Sequence, residues 1–273
     1  MKRLTASILL LLLAKCGAIA QQNKLIYTGE WSNNKYCFSK NDVAIQEKLQ
    51  HEMEEAIVSK SSDEWDVNVS ECWSITYPSY SKQPFCLIED SARKHFMMCS
   101  MHIEFYPKSG TKMMEDYLKR QQKSIDDQNK VRKDLTDKII SPAQASEQYK
   151  KLDADVWGAP VHLYITTNDF SIGDSSVISI QEPSSVFACA PFKTEGVDYA
   201  MSCMETLLSG TYHVTFAYLG DIATPNSKVK LSKPKSLQWE KQNLIKIKIY
   251  APDDVALRLM KNFDWKKIKS VLE

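Results

Sequence analysis

Along NLIKIKIY (243–250) apolar and basic positions alternate, with Ile245, Ile247 and Ile249 on one side of an extended chain and Lys246 and Lys248 on the other. A two-residue period of this kind predicts a strand with one buried and one solvated face. Runs rich in β-branched and aromatic residues recur at VHLYITT (161–167), SSVISIQ (175–181) and TYHVTFAYLG (211–220), and they read as further strands. Residues 65–106 have the same texture and close on HIEFYP, where Ile103 and Phe105 alternate with polar neighbours.

The period changes to helical spacing in two places. In NDVAIQEKLQHEMEEAIVSK (41–60), Ile45, Leu49, Met53 and Ala56 form an apolar stripe with Ile57 at its edge. Residues 111–140 are highly charged, and Met114, Leu118, Ile125, Val131, Leu135 and Ile139 supply only a narrow stripe. Next, Ser141, Pro142 and Gln144 spell a helix start, with a capping box and a proline at the first helical position. The two segments predict a helical hairpin with one packed face, read as a connector between sheet units, with a partner-binding arm as the alternative. Near the end, Pro252, Asp253 and Asp254 open a helix over 251–263, and 264–273 reads as a short last one.

These elements predict an α+β fold. It has antiparallel sheets, an N-terminal packing helix, a long helical-hairpin insert and a short C-terminal helical segment, all disulfide-stabilised. The expected divisions are a signal peptide (1–20), a helix-plus-sheet unit (21–110), the helical insert or connector (111–155) and a second sheet unit with C-terminal helices (156–273).

The first residues set the chemistry expected of the cysteines. Lys2 and Arg3 precede an apolar run over 4–14, and Ala18 and Ala20 stand at −3 and −1 before Gln21. That is the three-part pattern of a secretory signal, too short to span a bilayer, so a secreted or periplasmic chain is expected. Six cysteines follow it, Cys37, Cys72, Cys86, Cys99, Cys189 and Cys203. An even number in an oxidising compartment predicts a disulfide set, and no CxxC spacing suggests a metal or redox pair. Folding 186–207 about Gly196 sets Cys189 opposite Cys203, within reach of a disulfide. Folding 84–101 between Ala92 and Arg93 sets Cys86 opposite Cys99. The pairs expected are Cys86–Cys99, Cys189–Cys203 and Cys37–Cys72. Six cysteines allow 15 pairings, and Cys72 and Cys86 are also nearly symmetric about Ser79.

Charge narrows the partners. The chain holds 35 Lys and Arg against 34 Asp and Glu. Loss of 1–20 would remove Lys2, Arg3 and Lys15, so the remainder is near neutral and no general nucleic-acid binder. Residues 228–273, however, carry twelve Lys or Arg against five Asp or Glu. Lys228, Lys230, Lys233, Lys235, Lys246 and Lys248 are therefore a candidate face for an anionic surface. The alternative is a solvated Lys-covered face that discourages edge pairing.

Sequence motifs assign no catalytic residue, metal ligand or cofactor: GxSxG, HExxH, the P-loop and GxGxxG do not occur. Short S-x-x-K strings lack the motifs that would accompany them. His51, His95, His102, His162 and His213 are scattered, and His51 with Glu55 reads as a solvated i,i+4 pair. Asn168, Asp169 and Asp174 echo a calcium loop, but they lack the alternating oxygen ligands of an EF-hand and read as a turn. Asn68 opens an N-x-S sequon. The expectation is an exported, disulfide-bonded binding protein that holds a protein or anionic cell-envelope component. The alternatives are an inhibitor of an extracellular enzyme and a cell-envelope hydrolase with dispersed active-site residues.

Overall fold

A computed structural model describes residues 26–31, 34–38, 40–69, 74–76, 98–155, 160–169, 171–172, 178–179, 184–208, 210–223, 230–231 and 241–272. The segment read as a signal peptide, together with Cys72, Cys86, His95, Asp174, Lys228, Lys233 and Lys235, lies outside them. No helix among the described residues is long and apolar enough to cross a membrane.

The first described elements are β1 (Ile26–Trp31) and β2 (Asn34–Phe38), which pair as a separate antiparallel ribbon. Helix α1 (Lys40–Val58) follows, then β3 (Trp65–Val69), β4 (Ser74–Thr76) and β5 (Met98–Pro107). The hairpin α2 (Lys112–Thr136) and α3 (Pro142–Asp155) leads to β6 (Val161–Thr167), β7 (Ser171–Ile172) and β8 (Ile178–Ser179). After these come β9 (Val186–Phe192), β10 (Tyr199–Leu207), β11 (Gly210–Gly220), β12 (Ile222–Ala223), β13 (Lys230–Leu231) and β14 (Leu244–Tyr250). Helices α4 (Asp253–Met260) and α5 (Trp265–Ser270) close the chain.

The central sheet is antiparallel in the order β3-β5-β6-β14-β11-β10-β9, and β4 extends it beside β5. The two sheet-forming stretches flanking the helical hairpin therefore share one sheet, because β5 pairs with β6 directly, Ile103 opposite Leu163. The short strands β12, β13, β8 and β7 form a second, four-stranded sheet.

One face of the central sheet carries the main core. Met101, Ile103, Phe105, Leu163, Ile165, Ile245, Ile247, Ile249, Ala217 and Leu219 meet Leu49, Met53, Ala56 and Ile57 of α1 and Val255, Ala256, Leu259 and Met260 of α4. Fully burying one such side chain stabilises by about 1.5–3 kcal/mol, which explains why the apolar stripe of α1 is found where its spacing places it. Ion pairs tie the helices at their rims. Lys267 reaches Glu55 at 2.5 Å, while Arg258 Nε donates to Glu64 Oε2 at 2.9 Å and its guanidinium also faces Asp116. His51 and Glu55 form the exposed i,i+4 contact expected of them, 3.8 Å apart.

The other face is different in kind. Under β10, β11 and β14 it holds a smaller cluster of Met201, Cys203, Val214, Phe216, Tyr218 and Leu244. This overturns the expectation of a wet lysine face on β14. Lys246 is buried and pairs with Asp169. Lys248 is only 17% exposed and meets the nearly buried carboxylate of Glu205 at 2.6 Å. Lys230 lies in β13. Lys246 and Lys248 are therefore internal counter-charges, unsuited to an anionic surface outside the protein.

Two helix details follow the sequence, and one departs from it. Ser141 N–H donates to Gln144 Oε1 at 2.8 Å and Gln144 N–H donates to Ser141 Oγ at 3.3 Å, so the capping box is formed. The hairpin is present, with α3 packed on α2 and against β11. However, α2 is rotated relative to its expected stripe. Thr111 caps it, and Met113 rather than Met114 enters the core, with Tyr117 packed beside it. Leu118 and Ile125 consequently face solvent, as does Ile139 beyond the end of the helix, although Val131 is buried as expected.

The cysteines divide. Cys189 and Cys203 form a disulfide with Cα atoms 4.1 Å apart. The hairpin folds about Gly196 as the spacing requires, with Ala200 opposite Phe192 and Ser202 opposite Ala190. A bulge then follows between Ser202 and Met204, with Ala188 at a positive φ of 50°. Cys99, in contrast, is a free, fully buried thiol, which corrects the Cys86–Cys99 link at its described end. Its neighbours across the sheet are Ile75 of β4 and Thr167, whose hydroxyl accepts the Cys99 N–H at 3.1 Å. Both flanking slots are thus held by residues without sulfur. Cys37 lies in β2, and its pairing with Cys72 falls outside the described side chains.

Candidate functional site

The half of the polar face formed by β3, β5 and β6 concentrates the chemistry. Side chains two apart on a strand share a face, so His102, Glu104 and Tyr106 emerge together from β5, and His162 and Tyr164 from β6. The register sets His102 opposite Tyr164 and Glu104 opposite His162, with Asn68 of β3 on the far side of Glu104. One diagonal of this lattice brings the two histidines together, and His102 Nε2 and His162 Nδ1 lie 3.0 Å apart, sharing one hydrogen between them.

The carboxylate is held from one side. Asn68 Nδ2 and Tyr106 Oη each donate to Glu104 Oε2 at 3.1 Å. The other oxygen, Oε1, stands 3.7 Å from His162 Nδ1. The Asn68 amide, followed by Tyr106 and the two imidazoles, keeps the Glu104 carboxyl below its ordinary pKa after a partial opposing effect of burial. Burial, followed by the neighbouring His162, keeps His102 below its ordinary value against the pull of Glu104. At neutral pH the His102 imidazole is therefore neutral and the Glu104 carboxylate ionised.

Stacked rings fix the histidines in place. His102 lies over Tyr164 at 4.4 Å between centroids and 9° between planes, and over His162 at 5.2 Å. Tyr164 meets Tyr250 edge-on at 5.9 Å, and Tyr250 meets Tyr212 in the same way. Lys248 Nζ sits 4.7 Å above the Tyr250 ring, while Tyr250 Oη donates to Glu205. Contacts of this type are worth about 0.5–1.5 kcal/mol per aromatic pair beyond burial. The row runs from the edge of the sheet at Asn68 to the buried ion pair at Glu205. It is accessible at its outer end, where the His162 side chain is 38% and Tyr164 39% exposed.

Chemically, His102, Glu104 and His162 offer two nitrogen atoms and one carboxylate oxygen, all within 4.8 Å of one another. The same groups can exchange protons, and the flanking tyrosines offer a flat aromatic surface with hydroxyl donors. Sequence reasoning missed this cluster by treating the histidines as scattered. The usable signal was parity: HIEFY and VHLY each place chemical groups two apart on one face. The residue echo of a calcium loop dissolves into structure. Asn168 is buried at a φ of 55°, its Oδ1 accepts from Asn243 N–H at 2.7 Å, and its Nδ2 donates to Lys241 O at 3.0 Å, while Asp169 pairs with Lys246. No protein-family profile, curated protein or solved structure matches the chain.

Proposed function

We propose that the chain is an exported, disulfide-stabilised binding protein that holds its ligand on the His102–Tyr164 end of the polar sheet face. The observation that carries the reading is the half-exposed ring stack with an ionised carboxylate at its centre. Sheet faces turned to water usually carry scattered polar groups; here the rings and the carboxylate converge. Export is supported by the Cys189–Cys203 disulfide, a bond that persists in oxidising compartments. The ligand sought is a protein or envelope component, because the cluster lies on the open face of a sheet and offers rings and hydrogen-bonding groups along a row.

The test is affinity capture from the native extracellular or envelope fraction, using the wild-type protein, Tyr164→Ala and a distant control, Lys123→Ala. Components retained by the wild type and the control and lost from Tyr164→Ala support the reading. Equal retention by all three overturns it. Amino-terminal sequencing of the exported protein should begin at Gln21, and an intact Met1 in a cytosolic fraction overturns export. A second reading, a hydrolase, is favoured by one observation: His102, His162 and Glu104 converge from two strands.

A further inference from the structure

We infer that His102, Glu104 and His162 form a binding site for a divalent transition-metal ion, zinc in the first instance. The inference deepens, and rests on, the reading of this face as the ligand-binding surface.

Spacing is the first argument. Zinc binds imidazole nitrogen and carboxylate oxygen at ~2.0–2.2 Å, so two ligand atoms of a tetrahedral ion lie about 3.3 Å apart. The separations here bracket that figure, with 3.0 Å between the two histidine nitrogens and 3.7 Å between Glu104 Oε1 and His162 Nδ1. All three donor atoms lie within 4.8 Å of one another. Closing on an ion takes shifts of a few tenths of an ångström at these two separations, an approach of His102 and Glu104 from within 4.8 Å, and a change of tautomer so that both facing nitrogens present lone pairs.

The supporting groups are the second argument. Ligating carboxylates are themselves held by hydrogen bonds that orient them. Asn68 and Tyr106 both donate to Glu104 Oε2, and Oε1 is the oxygen turned toward His162. This fixes the carboxylate as a one-oxygen ligand. Tyr164, stacked on His102, limits rotation of that ring. Three ligands on two paired strands are a rigid set, and they leave at least one position of the ion for water or an external ligand.

Ligand chemistry selects the ion. Two imidazoles and a carboxylate suit zinc, copper, nickel or iron, whereas calcium and magnesium prefer oxygen alone. Bound at the outer end of the aromatic row, such an ion would meet a partner's carboxylate, imidazole or phosphate. The same arrangement, three protein ligands and water, is found in catalytic zinc sites.

The test is isothermal titration calorimetry of the untagged, chelator-stripped full chain with zinc chloride alone. One ion per chain is expected, with no heat of binding from magnesium or calcium chloride. His102→Ala and His162→Ala should each weaken binding by more than the ~10–100-fold typical of losing a supporting group. Tyr106→Phe and Asn68→Ala should fall within that range. Glu104→Gln, close to isosteric, guards against loss of fold, and far-ultraviolet circular dichroism checks each variant. Cobalt in place of zinc should give visible ligand-field bands in the wild type and lose them in His162→Ala. Absence of stoichiometric zinc binding, or binding indifferent to both histidine substitutions, overturns the inference. If zinc fails to bind while Tyr164→Ala still loses its captured components, the metal site alone falls. If zinc binds as described while capture ignores Tyr164, the partner-binding reading falls and the metal site stands.

Discussion

Gly196 lies directly against Trp265: a Cβ built on the glycine would stand 2.3 Å from the indole Cγ. The contact docks the tip of the disulfide-bonded hairpin β9–β10 onto α5, whose Trp265 Nε1 donates to Met260 O at 3.1 Å. Gly196 also has a φ of +80°, a region that costs residues with a Cβ about 1–2 kcal/mol. Gly196→Ala should therefore lose that backbone energy plus about 1–3 kcal/mol of overpacking, read as a lower urea midpoint. In a Trp265→Gly background, which also removes the Trp265 Cβ that would stand 2.4 Å away, the same substitution should cost only the backbone share. An identical cost in both backgrounds would rule out the contact as its cause.

The Cys189–Cys203 bridge closes a short loop, with a sequence separation of 14. In the chain-entropy account such a loop contributes about 3 kcal/mol. Cys189→Ala with Cys203→Ala should lower stability by up to that amount while leaving the hairpin paired, because β9 and β10 are also joined along their ladder from Ala200–Phe192 to Glu205–Val186. Non-reducing peptide mapping should find the 189–203 link in natively purified protein. Free thiols at both positions would refute the assignment.

Burial pushes the Cys99 thiol up from its ordinary 9.0 to about 12, against a smaller lowering contact with Thr167. Native protein should therefore resist alkylation at Cys99 at pH 8, and denaturant should expose it to stoichiometric labelling. The sign of the pH effect follows from linkage. Above pH 9 the unfolded thiol loses its proton while the folded one keeps it, so stability should fall as pH rises from about 9 to 12. Cys99→Ala should remove that component of the alkaline slope. Rapid native labelling would show that the thiol is accessible.

Much of the fold is legible because it is local. The mirror spacing of Cys189 and Cys203 about Gly196 fixes a hairpin, and the bulge at Ala188 is absorbed without moving the pair. Ser141 and Gln144 specify a helix start within four residues. What sequence leaves open is non-local. Nothing in β5 or β6 alone says that they pair across the helical hairpin of residues 112–155, so the sharing of one central sheet by the two flanking stretches emerges only from the register. The His102–His162 contact has the same origin: parity assigns each residue a face, but only the pairing makes them neighbours. Lys246 and Lys248 fail for a related reason. Alternation shows that they oppose the isoleucines, not that Asp169 and Glu205 await them on that side. The phase of α2 departs from the sequence stripe because its first turn follows the Thr111 cap and the pull of Met113 into the core, while Leu118 and Ile125 carry equal hydrophobic weight in the sequence.

Lys248 and Glu205 form an ion pair at 2.6 Å with the carboxylate almost wholly buried, and Tyr250 donates to the same oxygen. Breaking a buried pair by removing one partner costs about 3–5 kcal/mol, because the other charge is left without compensation. Lys248→Met should therefore destabilise severely, while Lys248→Met with Glu205→Leu should recover a large part of the loss, as urea midpoints would show. Burial raises the Glu205 pKa, but the hydrogen bonds from Lys248 and Tyr250 outweigh it and leave the value below the ordinary 4.5. A depressed carboxyl stabilises the folded state above pH 4.5 and loses that contribution as pH falls through its folded value. The acid-unfolding curve should consequently be shallower in Glu205→Gln than in the wild type below pH 4.5. Equal slopes would mean that the pair does not couple protonation to folding.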